Sequence, residues 1–226
     1  MTAERFSIEL GDAQTSARVY SRAGPRGAAA AGPTLVLAHG AGAPQAHPWM
    51  VGMATAVAAR GIDAVTFDFL YMQGKRRGPD RPDVLEATWL AVIAAVRTRL
   101  APPALFIGGK SMGGRIATQV AARDDVDVAG IVLLGYPLHP PGKPGQLRTA
   151  HLPRVRAPML FVQGTRDPFG GPDELAPHLV GLAPGTRIFP VDGGDHSLAL
   201  PKSRGESAQE TMGRVADEIA RFTASR

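Results

Sequence analysis

Ser111 lies in a sequence pattern that could supply a nucleophile. Gly109-Lys-Ser111-Met-Gly113 has the form G-x-S-x-G and stands between an apolar run and a stretch of small and apolar residues. We predict a buried strand over Leu105–Gly108, a helix over Met112–Arg123, and a tight turn at the serine between them. A nucleophile on such a turn has a strained backbone and needs glycines where neighbouring main chain passes close by. The alternative is a glycine-rich turn in which the serine has no catalytic role. The choice between the two depends on whether an acid and a histidine follow at suitable places.

A serine hydroxyl becomes a useful nucleophile only when a base takes its proton and an acceptor fixes the tautomer of that base. His196 follows the last apolar run of the chain and is our candidate base. Asp167 follows the preceding run and is our candidate acid. The loop over residues 135–145 contains no acid, and Asp173 and Glu174 lie farther along, on a predicted helix.

The elements that must position these residues are strands alternating with helices. Phe6–Leu10 and Ala17–Tyr20 alternate apolar and polar residues and predict an antiparallel hairpin. Later strands are predicted at Thr34–Ala38, Ile62–Phe69, Leu105–Gly108, Val128–Leu134, Pro158–Val162 and Thr186–Val191. We therefore expect an α/β fold: a mostly parallel sheet with an N-terminal hairpin and helices on both faces. Because ligands bind at the carboxyl ends of such strands, Ser111, Asp167 and His196 should meet there.

The helix signals are equally specific. A helix is predicted near Met50–Arg60 with Gly61 as its stop signal, and a basic loop over Tyr71–Pro82 follows. Asp83-Val-Leu-Glu86 resembles a capping box that opens the next helix. The terminal helix places one apolar face at Met212, Val215, Ile219 and Phe222.

Two backbone amides are expected to stabilise a developing oxyanion: that of Met112, after the nucleophile, and that of Ala41, after His39-Gly40. Gly42 is the alternative second donor, and His39 is interpreted as structural. The candidate substrate-binding residues come from three loops. They are His47, Trp49, Tyr71, Tyr136 and His139, with Ala43, Met72 and Pro137 as further wall residues.

Composition excludes several classes of protein. The 226 residues suit one α/β domain over 1–226, and the absence of cysteine excludes disulfides and thiolate metal sites. The net charge of +5 comes from mostly scattered basic residues, with one cluster over 75–81, and aromatic residues make up only 6%. Nucleic-acid binding is therefore not expected as the primary role. With no signal pattern and no run of membrane-spanning length, we expect a cytoplasmic protein that does not bind a membrane.

The chain resembles the α/β-hydrolase superfamily over nearly its whole length, including its order Ser, Asp, His. More narrowly, it is similar to small capless, dienelactone-hydrolase-like proteins related to a testis-expressed vertebrate protein and to a subunit of a histone-acetylating chromatin complex. The segments that carry the resemblance are Leu37-Ala-His-Gly-Ala-Gly-Ala43, Phe67-Asp-Phe-Leu-Tyr-Met72, Gly109-Lys-Ser-Met-Gly-Gly-Arg115, Gly135-Tyr-Pro-Leu-His-Pro-Pro-Gly142 and Gly164-Thr-Arg-Asp-Pro-Phe-Gly170. It implies Ser111, Asp167 and His196 as the catalytic triad.

This resemblance implies a serine hydrolase of the carboxylesterase type, which cleaves small acyl esters through a covalent acyl-enzyme and needs no metal or cofactor. Only residues 135–157 separate two strands where relatives insert a lid, so an open site is expected. The alternatives are a thioesterase or acyltransferase with the same triad, or a non-catalytic interaction scaffold. Arg115 is expected to pair with a nearby acid, and binding of a substrate carboxylate is its less favoured role.

Overall fold

The computed structural model describes residues 3–23, 32–74, 76 and 78–225. Eight strands form one sheet in the order β1-β2-β4-β3-β5-β6-β7-β8. The strands are β1 Glu4–Leu10, β2 Ala13–Tyr20, β3 Thr34–Ala38, β4 Asp63–Phe67, β5 Leu105–Lys110, β6 Gly130–Leu134, β7 Met159–Gly164 and β8 Arg187–Val191. The first two strands form the antiparallel hairpin, and β3 to β8 are all parallel. The predicted fold class is confirmed.

The helices cover both faces of this sheet. They are α1 Pro48–Ala58, α2 Leu70–Gln73, α3 Pro82–Leu100, α4 Met112–Ala121, α5 Pro172–Leu175 and α6 Ala208–Ala224. Helices α3 and α4 pack into one apolar cluster, where Trp89 and Ile116 are fully buried. Helices α1 and α6 pack into the other, where Met53 and Phe222 are fully buried. Because the central strands are buried on both faces, they are apolar throughout rather than alternating.

The helix starts differ from the sequence predictions. Helix α1 begins at Pro48 because the side chain of His47 accepts a hydrogen bond from the amide of Trp49 and acts as N-cap. Its C-cap is Ala59, two residues before the expected stop at Gly61. The capping box predicted at Asp83 is wrong. The N-cap of helix α3 is Arg81, two residues before Asp83, and the helix begins at Pro82 because proline needs no amide partner in a first turn.

Two predicted loops also need comment. The loop over Tyr71–Pro82 contains the short helix α2 over its first residues, and Lys75 and Arg77 of its basic cluster lie outside the described residues. The connection predicted over Ser21–Pro33 falls largely on residues 24–31, which also lie outside the described part.

The connection between β6 and β7 is short. Residues 135–158 are all described, and the helical structure within them is a single 3-10 turn at Leu152–Arg154. The carboxyl ends of the central strands therefore carry no cap at this point of the chain. Among the described helices, none combines the length and apolar character needed to cross a membrane.

Candidate active site

Ser111 occupies a strained turn between β5 and α4. Its φ is 49° and its ψ is −117°, a conformation that residues with a side chain rarely adopt. A methyl group at Gly109 would lie 2.3 Å from the carbonyl oxygen of Ala38, and one at Gly113 would lie 2.5 Å from that of His39. Both positions require glycine because β3 passes directly beside the turn. The G-x-S-x-G pattern is thus explained by packing of main chain against main chain.

Three side chains from three strand ends meet at this turn. The Oγ of Ser111 and the Nε2 of His196 are 2.8 Å apart. The Nδ1 of His196 lies 2.8 Å from Oδ2 and 3.0 Å from Oδ1 of Asp167. The side chain of Asp167 is fully buried, whereas that of His196 is 20% exposed. The arrangement therefore joins a dry carboxylate, an imidazole at the surface of the cleft and a hydroxyl in one hydrogen-bonded chain.

The orientation of Asp167 is fixed by further donors. Its Oδ1 accepts a hydrogen bond from the amide of Phe169 at 2.8 Å, and its Oδ2 accepts one from Nε2 of Gln163 at 2.9 Å. Gln163 is completely buried and was not singled out by the sequence analysis. A polar residue inside the otherwise apolar strand β7 is the signal that could have identified it.

The loop that carries His196 is held from two sides. The ring of Phe169 stacks on the imidazole with centroids 4.1 Å apart. The indole N–H of Trp49 donates to the carbonyl of Ser197 at 2.9 Å, and Nζ of Lys110 donates to the hydroxyl of Ser197 at 2.7 Å. The ammonium group of Lys110 also lies 4.8 Å from the centroid of the Trp49 ring. These contacts restrict the position of the imidazole relative to the serine.

His39, at the end of β3, has a structural role. Its Nδ1–H donates to the carbonyl of Gly40 at 2.8 Å, and its Nε2 accepts the amide N–H of Phe69 at 3.1 Å. Several effects act on the pKa of His39, and the largest of them, burial, lowers it. A lower pKa favours the neutral ring that this hydrogen-bonding pattern requires. The histidine therefore ties the loop after β3 to the chain after β4.

An open cleft of about 410 Å³ lies over Ser111 and His196. Ala41 and Met112, the two candidate oxyanion donors, both line it. Its walls also contain Gly40, Ala43, Pro79, Pro137 and Phe169, together with the cations Lys110, Arg115 and Arg148.

The five aromatic and histidine residues expected to bind substrate do not line this cleft. Each has another task. His47 caps α1 and Trp49 holds Ser197. Tyr71 is buried beside His39, with ring centroids 5.9 Å apart. The hydroxyl of Tyr136 donates to the carbonyl of Arg148 at 2.7 Å, and Nε2 of His139 lies 3.2 Å from Glu174.

These five residues differ in exposure. Tyr71, Tyr136 and His139 are buried, whereas Trp49 is partly buried and His47 is exposed. The expected ion pair of Arg115 is also not found among the described residues, since its side-chain hydrogen bond goes to Gln119 at 3.3 Å.

Comparison with known proteins places this geometry in context. Residues 31–224 match the model of a family described as "Alpha/beta hydrolase domain". Among solved structures, dienelactone hydrolase from Anabaena variabilis is similar, with a TM-score of 0.75 and 18% identity over 99% of this chain and 97% of that one. A serine hydrolase without lid from Xanthomonas campestris has a TM-score of 0.70 and 18% identity over 94% of each chain. An esterase domain from a Rhodothermus marinus protein has a TM-score of 0.72 and 15% identity over 98% of each chain.

Proposed function

The chain belongs to the alpha/beta hydrolase domain family, and from that premise we propose that it is a serine hydrolase that cleaves small acyl esters. The observation that carries this proposal is the 2.8 Å contact between Ser111 Oγ and His196 Nε2, backed by the buried carboxylate of Asp167. His196 lies within hydrogen-bond distance of Ser111 on one side and of Asp167 on the other, which is the geometry that activates a serine.

The proposed reaction has two halves. His196 accepts the proton of Ser111 as Oγ attacks the ester carbonyl, and Asp167 stabilises the imidazolium that results. Collapse of the tetrahedral intermediate breaks the bond to the alcohol oxygen, which takes the proton from His196 and leaves as the alcohol. The acyl group is then bound to Ser111. Water, deprotonated by His196, attacks this acyl-enzyme and releases the acid and the free serine.

We assign the oxyanion to the backbone amides of Met112 and Ala41. Met112 is the first residue of α4, so its N–H has no partner within the helix and the helix dipole favours negative charge there. Ala41 lines the cleft. Gly42 is the weaker candidate because, unlike Ala41, it does not line the cleft.

The open cleft favours small, accessible esters. The connection over residues 135–158 forms no cap above Ser111, and similar folds include a dienelactone hydrolase, an esterase domain and a serine hydrolase without lid. These likenesses also support grouping the chain with small capless hydrolases. A thioesterase or acyltransferase would use the same triad with a different leaving group or acceptor, whereas a scaffold would need no activated serine.

The experiment that tests the proposal is labelling with a fluorophosphonate probe, which reacts with activated serines. We expect stoichiometric labelling of the wild type and none of Ser111→Ala or His196→Ala. Ser7→Ala is the matched control, since it removes an exposed hydroxyl of β1 outside the cleft and leaves the triad intact. Positive labelling would be followed by p-nitrophenyl esters and thioesters of increasing chain length.

Two results would count against the proposal. A folded wild type that does not label would indicate a non-catalytic site and favour the scaffold. Labelling that persists in Ser111→Ala would show that a residue other than Ser111 reacts with the probe. If kcat/KM for thioesters is well above that for the matching esters, the assignment of the triad stands and the proposed activity becomes that of a thioesterase.

A further inference from the structure

The active-site cleft is cationic. Three basic side chains, Lys110, Arg115 and Arg148, line it together with Ser111, and no carboxylate of the described residues does so. A cleft with one sign of charge concentrates substrates of the opposite charge. The three cations differ, however, in how fully they are already engaged.

Lys110 is engaged by the protein. Its Nζ donates to Ser197 Oγ at 2.7 Å and lies over the ring of Trp49. Asp195 and Asp167 also stabilise its charge, although burial is the larger effect and lowers its pKa. The charge of this lysine is therefore already stabilised by groups of the protein itself, before any ligand binds.

Arg115 and Arg148 are less fully engaged. Arg115 lies one turn after Ser111, and its side chain bonds only the neutral amide of Gln119, at 3.3 Å. Arg148 donates from Nη1 to the carbonyl of Pro137 at a long 3.4 Å. Among the described residues neither guanidinium forms an ion pair; Glu86 acts on Arg115 only from beyond ion-pair distance.

The two guanidinium groups are also close enough to repel each other. Burial and the charge of Arg148 both lower the pKa of Arg115, which nevertheless stays charged because an arginine titrates far above neutral pH. Two partly buried like charges without a counter-ion are unfavourable in the free protein. An anion between them would relieve that repulsion and form charge-assisted hydrogen bonds with both.

We propose that Arg115 and Arg148 form a carboxylate-binding subsite and that the substrate is an ester that also carries a carboxylate. This inference rests on the proposed function, because it names the substrate class of the same cleft. Arginine suits the role since its planar fork matches a carboxylate with two parallel hydrogen bonds. The subsite contributes to specificity, because it holds the charged end of the substrate while Ser111 attacks the ester carbonyl.

Two matched pairs of esters test the proposal. 4-Acetoxybenzoate and its methyl ester differ by a carboxylate on the alcohol part, whereas monoethyl adipate and diethyl adipate differ by a carboxylate on the acyl part. The quantity to measure is the ratio of kcat/KM for the charged ester over the neutral one. We expect a ratio above 1 in at least one pair, and a fall of about 10- to 100-fold in Arg115→Gln and in Arg148→Gln.

Arg156→Gln is the control. It removes the same charge, but Arg156 is 80% exposed and pairs with Asp124 outside the cleft, so the ratio should not change. Arg115→Lys should keep part of the preference, because an ammonium group retains the charge and loses the fork. Circular dichroism of each variant verifies folding.

A binding measurement separates this inference from the proposed function. Calorimetric titration of Ser111→Ala with each charged ester and its neutral partner requires no catalysis. Preferential binding of a charged ester, lost in Ser111→Ala/Arg115→Gln, supports the subsite even if the wild type hydrolyses nothing. The inference is overturned if neither pair shows a preference, or if the glutamine variants leave the preference unchanged. In that case fluorophosphonate labelling of the wild type would still leave the hydrolase proposal standing.

Discussion

Gln163 donates a hydrogen bond from Nε2 to Oδ2 of Asp167 at 2.9 Å, so the acid of the site is held by the strand that precedes it. The same amide group donates to the carbonyl of Gly170 at 2.7 Å and accepts the N–H of Tyr136 at 2.8 Å. One buried side chain thus joins the loop after β6 to the loop after β7. Its bonds fix where the carboxylate points before any substrate arrives.

Replacing Gln163 by leucine should destabilise the protein by about 2–6 kcal/mol. The variant leaves the amide of Tyr136 and the carbonyl of Gly170 buried without partners, and each such group costs about 1–3 kcal/mol. Urea unfolding monitored by circular dichroism measures this. Gln119→Leu, a partly exposed glutamine on α4, is the control and should change stability little. A loss below about 1 kcal/mol for Gln163→Leu would mean that water replaces these bonds.

Asp167→Asn should lower kcat by about 10⁴-fold. An amide cannot stabilise the imidazolium as a carboxylate does, and its N–H group favours the wrong tautomer of His196. The measurement is steady-state hydrolysis of a p-nitrophenyl ester. Asp195→Asn, next to His196, tests whether any nearby acid suffices, and it should retain most of the activity. Comparable losses in both variants would contradict the assignment of Asp167.

Gly113→Ala and Gly213→Ala should have opposite effects, although both glycines lie in helices. A methyl group at Gly113 would meet the carbonyl of His39 at 2.5 Å, and main chain cannot move aside. We expect a loss of about 3 kcal/mol in the free energy of unfolding. A methyl group at Gly213 meets only the end of the Arg60 side chain, at 3.4 Å, so alanine should stabilise α6 by about 0.5–1 kcal/mol. Chemical unfolding of the pair tests the elbow packing.

Trp49→Phe should lower kcat by about 10-fold and change KM little. The variant removes the hydrogen bond to Ser197, so the loop that carries His196 gains freedom, and small displacements of a catalytic group are costly. Ser197→Ala removes only the contact with Lys110 and should have a smaller effect. Single-turnover kinetics can separate the chemical step from binding. An unchanged kcat in Trp49→Phe would show that the hydrogen bond of Trp49 is not needed to position the imidazole.

Acid should destabilise the protein partly through His151. Burial and the nearby charges of Arg115 and Arg154 lower its pKa to about 4, from the value of 6.5 that is ordinary for a histidine. The unfolded chain therefore binds a proton between pH 6.5 and 4 that the folded protein does not, and stability falls as the pH falls through this window. His151→Gln should flatten this decline. Urea midpoints at pH 7 and pH 5 measure it, and equal slopes for both proteins would contradict the prediction.

Much of the fold and the order of the reactive residues could be predicted from the sequence. The apolar runs are long enough, and the glycines at 109 and 113 specific enough, to place a serine between a strand and a helix. The expected hairpin and parallel strands are present because local patterns of burial determine them. Helix starts were less accurate, since α1 begins at Pro48 rather than near Met50 and α3 begins at Pro82, ahead of the capping box expected at Asp83.

The walls of the cleft depended on tertiary structure. Sequence alone favoured Tyr71, Tyr136 and Trp49 as substrate contacts, because aromatic residues near a reactive turn suit binding. In the folded protein Tyr71 and Tyr136 are buried and Trp49 forms a hydrogen bond, because removing apolar surface from water contributes favourable free energy.

The sequence by itself determined that a serine, an aspartate and a histidine follow three of the parallel strands, β5, β7 and β8, in that order. Only the tertiary structure decided the distances among Ser111, His196 and Asp167, and only it brought Gln163 under the acid. The same is true of Arg115 and Arg148, which belong to separate segments and share a cleft that no carboxylate of the described residues lines. The physical reason is that such contacts join residues far apart in the chain, and no local periodicity records them.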